Sequence, residues 1–567
     1  MSNKELAHEG LVKAALSAHN QGDIKKALSL YQSCISRIKY PPCNIFANYG
    51  ALLREDNQTQ NAGAVYRLGL KIYPENYHLL ANYANLQLQE GLSSKALALY
   101  IRAENVVREN ITPKKKEFLD KQQATTLSDL GMFKLALGLL EPYLASNPDD
   151  QDLRLGMAEL NLEIKQKARA VSLIQPLFDN FDPTLNQAFI FANILLKLQN
   201  FELALKIFDQ ATESHRRRQK ELDKKTRLKY DTTCWNFALM LLRRGLLDRG
   251  WRLFEHGKRV PNGKGGYQRT VIQAFSSVQL PDWSGESLEG KRLLINGEQG
   301  IGDVMMFSML IKPLINDAKK VGIITYDRLK SLYERSFTGC EIFDNRDVNK
   351  KKIDVNDWDI QAAMGTLPMI RYRNLEDYSK LKPFLIPNPI IKEELKSRFK
   401  TPKRPLIGFS WKGGGNAKQK RTKSLSLEDF LPLFRLPGFD WISLQYGNVS
   451  DEIIKFNSDH GLNIKLAEDV NPLQDMDRWT ALVSCCDEII SAANTTIHGG
   501  GCLGVPTTVI LAKDPDWRWL GDEGSNCYWY DSVSIARQKA VGDWNEPIVK
   551  ILDTMNLRYG KIKKYAS

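Results

Sequence analysis

A short glycine-rich segment that ends in a carboxylate could carry chemistry. Gly297 to Asp303 lies between a short apolar run and a helix-like pattern. Glycines let backbone amides approach a ligand, and the N-terminus of a helix carries a positive partial charge. Gly300 and Gly302 are therefore candidates for lining a cleft. Asp303 is either a general base for an acceptor hydroxyl or a carboxylate that stabilises the helix N-terminus, and its spacing favours neither.

A second glycine-rich segment, Ser410 to Ser424, is strongly basic and follows a predicted strand. Backbone amides and cationic side chains together suit a phosphate group. Loops at the carboxyl end of parallel strands are also where such sheets bind ligands, so we favour this interpretation over a solvated basic loop. The predicted donor-binding cations are Lys412, Lys420, Arg421 and Lys423.

A third segment, Ser491 to Pro506, places polar residues between a strand and a helix of small residues. Such side chains cap a helix and donate hydrogen bonds to phosphate. For the histidine of this segment, a structural role is an equal alternative. The donor-binding candidates are Asn494, Thr495, Thr496, His498 and Gly499.

Aromatic side chains flank an arginine in a fourth segment. Trp517 and Arg518 could stack on a base or a sugar in the cleft. We favour the alternative, in which Trp517 and Trp519 pack between two parts of the fold. Met305 stands where a dinucleotide fingerprint needs glycine, and the eight cysteines show no zinc-ligand spacing. The sequence therefore predicts no metal and no bound cofactor.

The elements that must position these segments alternate between strand and helix in the second half of the chain. This pattern indicates a parallel sheet covered by helices. Strands are predicted at residues 292–296, 321–326, 406–410, 441–444, 488–491 and 508–511, and helices at 304–315, 427–435 and 476–485. The strands form two successive units, which predicts two Rossmann-like lobes with a cleft between them.

The first half is a repeat array. A small residue followed twelve positions later by alanine occurs as Ala15/Ala27, Gly50/Ala62, Ala84/Ala96, Ala124/Ala136, Ala158/Ala170 and Ala192/Ala204. The second members step by 34 or 35 residues, apart from one step of 40. This lattice resembles the tetratricopeptide repeat, in which antiparallel helix pairs stack into a superhelix with a concave groove. A degenerate seventh unit extends the array to residue 257.

Two asparagines occupy equivalent positions in successive repeats, Asn48 and Asn82. They resemble the groove asparagines of O-GlcNAc transferase, which hold an acceptor backbone. An amide side chain can pair with an extended peptide of any sequence. Because the intervening repeats break this ladder, an acceptor groove and simple solvation remain equal alternatives.

Composition and charge limit the partners and the cellular location that we expect. The chain has 567 residues and a net charge of +13. A generally basic surface explains that charge better than a nucleic-acid site, so we expect no nucleic-acid partner. Neither a membrane-spanning run nor a signal peptide is predicted, which favours a cytoplasmic protein, with peripheral membrane contact left open.

The ordered motifs resemble a known family, repeat proteins with a heptosyltransferase-like domain of the ADP-heptose transferase superfamily. The resemblance is carried by Pro281 to Glu286, Glu298 to Asp303, Arg421 to Ser424, His498 and Asp516 to Trp519. It implies an α-solenoid followed by an α/β GT-B fold. The implied domains are repeats at 1–257, a linker at 258–290, an acceptor-side lobe at 291–400 and a donor-side lobe at 401–567.

The resemblance also implies a function. It implies an inverting, metal-independent glycosyltransferase that uses a nucleotide sugar as its donor. Asp303 would be the base, while the basic loop and the Asn494 to His498 turn would hold the donor diphosphate. The repeats would present the acceptor, which we expect to be a protein. The alternatives are a non-catalytic scaffold with a relic domain, or transfer to a surface polysaccharide or lipid-linked acceptor.

Overall fold

A computed structural model of the chain describes residues 3–56, 58–178, 184–217, 223–263, 265–275, 280–414, 422–520 and 527–560. The chain divides into two compact units, Met1–Arg217 and Arg218–Ser567. The sequence predicts a repeat array up to residue 257, whereas the last helix pair of that array belongs to the second unit. Within the described residues, no helix is long and apolar enough to cross a bilayer.

The first unit consists of consecutive helix pairs. Its helices are α1 (Asn3–Asn20), α2 (Ile24–Arg37), α3 (Cys43–Glu55), α4 (Thr59–Ile72), α5 (Tyr77–Gln89), α6 (Ser93–Val107), α7 (Pro113–Asp129), α8 (Phe133–Ser146), α9 (Gln151–Glu163), α10 (Lys167–Ile174), α11 (Leu185–Lys197) and α12 (Phe201–Arg217). The connections within each pair are short, so the two helices of a pair run antiparallel.

The small residues of the lattice explain this packing. The second member of each pair, from Ala27 to Ala204, is completely buried. Small side chains at these positions let the two helix backbones approach closely, and bulky neighbours such as Tyr31 and Tyr66 fill the space between pairs. The first unit is therefore a tetratricopeptide-like helical repeat fold, and the predicted helical repeat array is confirmed.

The second unit begins with two helices, α13 (Lys224–Arg243) and α14 (Leu247–Phe254). Two parallel sheets follow. Their strands are β1 (Arg292–Asn296), β2 (Lys320–Thr325), β3 (Glu341–Asp344), β4 (Ile360–Ala363), β5 (Leu406–Ser410), β6 (Asp440–Ser443), β7 (Glu488–Ala492), β8 (Thr507–Leu511) and β9 (Val533–Arg537). The strand orders are β3-β2-β1-β4 and β6-β5-β7-β8-β9.

Helices connect these strands, as parallel pairing requires. They are α15 (Ile301–Ser308), α16 (Lys312–Ile315), α17 (Lys330–Ser336), α18 (Asn345–Asn349), α19 (Leu367–Arg371), α20 (Leu375–Tyr378), α21 (Pro389–Phe399), α22 (Leu427–Phe434), α23 (Ser450–His460), α24 (Met476–Val483), α25 (Thr495–Leu503) and α26 (Asn545–Tyr559). This region is α/β with parallel sheets, and that coarser part of the predicted fold is confirmed.

Two sequence predictions differ from the structure. The helix predicted at residues 304–315 is split into α15 and α16, because the ring of Pro313 cannot continue a helix through the preceding turn. The linker predicted at 258–290 contains buried residues, among them Arg269 and Trp283. Its described part packs against the sheet of β1, where Asp282 forms a parallel bridge with Gln361.

Candidate functional site

A cavity of about 620 Å³ lies in the second unit, at the carboxyl ends of strands from both sheets. Segments that follow β1, β5, β6, β7 and β8 all contribute to its wall, and α13 and Gln268 supply the rest. The predicted site residues that it brings together are Gly300, Gly302, Asp303, Lys423, Asn494, Thr495, His498, Trp517 and Arg518. The structure thus gathers residues from four separate motifs around one space.

Two helices begin at this cavity. Gly300 is the N-cap of α15, and Asn494 is the N-cap of α25. The helices approach so closely that a Cβ atom at Gly302 would lie 3.0 Å from His498 Cδ2 and 3.3 Å from Thr495 Oγ1. Because the positive ends of two helix dipoles converge here, the wall favours an anion.

Asp303 is paired with Arg518 in the cavity wall. Arg518 Nε donates to Asp303 Oδ1 at 2.7 Å, and Nη2 donates to the same oxygen. Asp303 Oδ2 accepts from the backbone N–H of Gly300 at 3.3 Å. The carboxylate therefore has the helix-stabilising role that is one of the two alternatives, and its role as a general base stays a prediction. It supports the first turn of α15 and also faces the cavity.

Arg518 also contacts a second carboxylate and an aromatic ring. Its Nη1 lies 3.3 Å from Asp516 Oδ2, and its guanidinium lies 4.3 Å from the ring centroid of Trp517. Burial would lower the pKa of Arg518, but Asp303 and Asp516 raise it above its ordinary value. Burial likewise raises the pKa of Asp516, yet Arg518 and Lys423 bring it below its ordinary range. Both groups are therefore charged at neutral pH.

Lys423 supplies a further cation. Burial lowers the pKa of its ammonium group, while Asp516 raises it and Arg518 lowers it again. Its stem lies over Gly413, where a Cβ atom would be 2.6 Å from Lys423 Cγ. A half-buried ammonium beside a guanidinium is stabilised by an added anion.

His498 lies inside the wall rather than on its surface. It is 6% exposed, its Nδ1 is 2.9 Å from the Tyr530 hydroxyl oxygen, and its ring stacks on Trp519. Burial and then Arg518 lower the pKa of His498 to about 3. The imidazole is therefore neutral at physiological pH, which argues against a role as a phosphate-binding cation.

The side chain of Asn494 holds two loops together. Its Nδ2 donates to Ser410 Oγ at 2.7 Å and to the Lys412 carbonyl at 3.1 Å, while its Oδ1 accepts from Thr496 N at 2.8 Å. The side-chain amide was predicted to donate to phosphate. The structure instead uses its donors to fix the segment after β7 against the segment after β5.

Three predicted donor-binding residues lie outside the wall of this cavity. The ammonium group of Lys412 pairs with Glu452. Gly499 is buried where a Cβ atom would be 2.6 Å from Trp479 Cη2, so its role is close packing of α25. Thr496 lines a neighbouring cavity of about 220 Å³. Lys420 and Arg421 fall outside the described residues.

That neighbouring cavity is largely apolar. It shares Ile301, Tyr446 and Thr495 with the larger one. Leu444, Met476 and Trp479 supply much of its remaining wall. A flat, partly apolar group could therefore occupy it while an attached anion lies in the larger cavity.

Trp517 belongs to an aromatic cluster, as the favoured sequence interpretation predicts. Its ring stacks on Phe307 and packs edge-on against Trp251, at centroid distances of 6.1 and 5.7 Å. Phe254 lies 5.0 Å away by the same measure. Because Trp251 and Phe254 come from α14, this cluster fixes the α13–α14 pair to the sheets of the second unit.

The asparagines of the first unit are half-buried on the first helices of their repeats. Asn48 lies on α3, and Asn82 lies on α5. Asn82 Nδ2 donates to the carbonyl of Ala47 at 3.5 Å, a contact between successive repeats. Its amide is thus engaged within the array, while its carbonyl oxygen can still accept from a peptide.

Sequence reasoning missed a buried ion cluster behind the site. Arg269 Nε and Nη2 donate to the two oxygens of Glu298 at 2.8 and 2.7 Å, and Nη2 reaches Thr366 Oγ1 at 3.1 Å. Arg269 Nη1 also donates to Glu255. Glu298 belongs to the segment that leads to Asp303, so this cluster positions the first turn of α15. A buried arginine in a supposed linker gives no sequence signal.

Sequence reasoning also missed part of the cavity wall. The residues concerned, which lie outside the candidate segments, are Trp235, Leu239, Met240, Arg243, Gln268 and Tyr446. Tyr446 could have been found, since it follows a predicted strand. In the described part of the chain, no group of three or more His, Cys, Asp or Glu side chains could hold a metal ion.

Comparisons with known proteins give limited similarity. No protein-family model matches the chain. It is 28% identical over 312 residues to protein FlbA of Caulobacter vibrioides. The aligned region covers 52% of this chain and 52% of FlbA. The chain therefore spans about half the length of this relative.

Solved structures of helical repeat proteins overlap smaller parts of the chain. MamA from Desulfovibrio magneticus has 11% identity and a TM-score of 0.28, covering 32% of this chain and 96% of that chain. Pseudomonas aeruginosa PilF has 13% identity and a TM-score of 0.31, and the match covers 38% of this chain and 94% of PilF. A tetratricopeptide repeat protein from Parabacteroides merdae has 18% identity and a TM-score of 0.27, and the match covers 40% of this chain and 98% of that protein. The helices and sheets of the chain themselves define its fold.

Proposed function

We propose that the second unit is a GT-B-type glycosyltransferase that binds a nucleotide-activated sugar in the 620 Å³ cavity. The observation that carries the proposal is the convergence of two helix N-termini, Lys423 and Arg518 with the carboxylate Asp303. Ligands of parallel α/β sheets bind outside the carboxyl ends of the strands, where this cavity lies. The two sheets would be the two lobes of the GT-B fold.

The charges suit a diphosphate. Amides of α15 and α25 and the ammonium of Lys423 would surround the phosphates, and the adjoining 220 Å³ cavity would take the nucleoside. The sugar would then lie toward Asp303. This arrangement stabilises the negative charge that develops on the leaving group.

The reaction we propose is a single displacement with inversion. An acceptor hydroxyl oxygen bonds to the anomeric carbon while the bond from that carbon to the diphosphate oxygen breaks. The bonding electron pair leaves with the nucleoside diphosphate, and Asp303 takes the proton of the acceptor hydroxyl. The tetratricopeptide-like unit would bind the acceptor, which we propose is a protein.

One observation favours a second candidate, a scaffold that binds a nucleotide without turning it over. Asp303 Oδ1 already accepts two hydrogen bonds from Arg518, as a structural carboxylate would. A scaffold with this site would bind the nucleoside diphosphate and leave every nucleotide sugar intact.

A mass-spectrometric screen of nucleotide sugars separates these candidates. We expect release of nucleoside diphosphate from one donor class, and a loss of about 10²- to 10⁴-fold in Asp303→Asn, the range typical of a missing general base. Asp531→Asn is the matched control, because its carboxylate is exposed and pairs with Lys382 outside the cavity. Absence of turnover for every donor, with nucleotide binding intact, would leave the scaffold as the function.

A further inference from the structure

Arg518 is held by three groups at once. Its guanidinium donates to Asp303 Oδ1, lies 3.3 Å from Asp516 Oδ2 and packs on the ring of Trp517. We propose that Arg518 is a positioning residue with two positions. In the first position its guanidinium is hydrogen-bonded to Asp303. When a diphosphate enters the cavity, the guanidinium turns to the diphosphate, and Oδ1 of Asp303 can then act as the base. This inference rests on the proposed function.

Such a movement would free Oδ1 of Asp303 for the acceptor proton. Oδ1 accepts from both Nε and Nη2 of Arg518, and a carboxylate oxygen has about two acceptor positions. Oδ2 is directed to the backbone N–H of Gly300. An acceptor hydroxyl cannot give its proton to Oδ1 while both of its acceptor positions are filled. Departure of one guanidinium N–H opens one of them.

A diphosphate can compete with Asp303 for the guanidinium of Arg518. Arginine forms paired hydrogen bonds with phosphate as readily as with carboxylate, and phosphate carries more charge. The α15 and α25 N-termini and Lys423 would hold the diphosphate beside Arg518. Asp516 and the face of Trp517 would remain in contact with the guanidinium, so a change of side-chain torsion moves it without releasing it from the wall.

This arrangement has a consequence for the order of events. Oδ1 of Asp303 would become available only after the diphosphate part of the donor is in place. An acceptor that arrives first would meet an Oδ1 whose two acceptor positions are already filled. Ordered binding, with donor before acceptor, follows from the contact between Arg518 and Asp303.

The test is a double-mutant cycle on the full chain, with inorganic pyrophosphate as the probe and calorimetry as the assay. Removal of the competing carboxylate in Asp303→Asn should tighten pyrophosphate binding by about tenfold, within the range of measured coupling between contacting residues. In the Arg518→Gln background the same change should tighten binding by no more than about twofold. Arg518→Lys keeps the charge, and there the effect should fall below that in wild type.

Arg243→Gln is the matched control. Arg243 also lines the cavity, but it pairs with Asp514 at 2.8 Å. In that background Asp303→Asn should keep its full effect. Equal tightening in the wild-type, Arg518→Gln and Arg518→Lys backgrounds would overturn the role of Arg518 and leave the diphosphate site standing. Failure of wild type to bind millimolar pyrophosphate would overturn both.

Discussion

Replacing Arg269, which does not itself line the cavity, by methionine should destabilise the second unit. The Arg269 and Glu298 side chains are both 0% exposed, and two hydrogen bonds join them. Methionine has a similar length but no charge, so Glu298 would be left buried without its main partner. Removal of one partner of a buried ion pair typically costs about 3–5 kcal/mol.

The same change should alter the pH dependence of unfolding. Burial raises the pKa of Glu255, but Arg269 and Lys258 lower it from 4.5 to about 2. A carboxyl with a depressed pKa stabilises the folded state above its unfolded pKa, and this contribution is lost as the pH falls through the folded value. The difference corresponds to about 3 kcal/mol, lost between pH 4.5 and 2. Arg269→Met should lose much of this dependence.

Tryptophan emission during urea unfolding measures the stability of the second unit alone, and its dependence on pH. All 11 tryptophans lie beyond residue 217, so the first unit is silent in this assay. Lys382→Met is the control, since its exposed pair with Asp531 should contribute at most about 1 kcal/mol. A loss in Arg269→Met no larger than that of the control would refute the account of this cluster.

Two further predictions concern α25. His498 has a pKa of about 3 in the folded state, below its unfolded value, so wild type should lose about 2 kcal/mol of stability as the pH falls from 6.5 to 5. His498→Gln should lack this loss, and a wild-type stability independent of pH in this range would show that the imidazole is not buried as described. Gly499→Ala should cost about 1–3 kcal/mol, because its Cβ atom would lie 2.6 Å from Trp479. An unchanged urea midpoint would contradict that close packing.

The helical repeats could be predicted from the sequence because their contacts recur at a fixed step. The small residues that meet between two helices lie twelve positions apart, so a single-sequence pattern records the packing. Strands β1, β2, β5, β6, β7 and β8 were also predicted within one or two residues. Strands β3, β4 and β9 were missed, since they become strands by pairing with a neighbour rather than by local pattern.

The candidate site was predictable only in part. Loops after parallel strands are expected to meet at one edge of the sheet, and this rule predicts that Gly302, Lys423 and Thr495 lie near one another. The partners of each side chain could not be predicted, because they come from distant segments. Arg518 and Asp303 are 215 residues apart, and Arg269, which binds Glu298, lies in a segment that had no strand or helix signal.

The central claim is that the cavity binds a nucleotide sugar through its diphosphate, and calorimetry with nucleoside diphosphates and the matching nucleosides tests it most directly. We predict that one nucleoside diphosphate binds wild type and that Lys423→Met weakens this binding by roughly tenfold or more, since a charge-assisted hydrogen bond contributes about 1.5–3 kcal/mol. Nucleoside binding should be unchanged, and Lys382→Met should match wild type. Equal affinity for nucleoside and diphosphate, or no binding of any nucleoside diphosphate at millimolar concentration, would contradict the account.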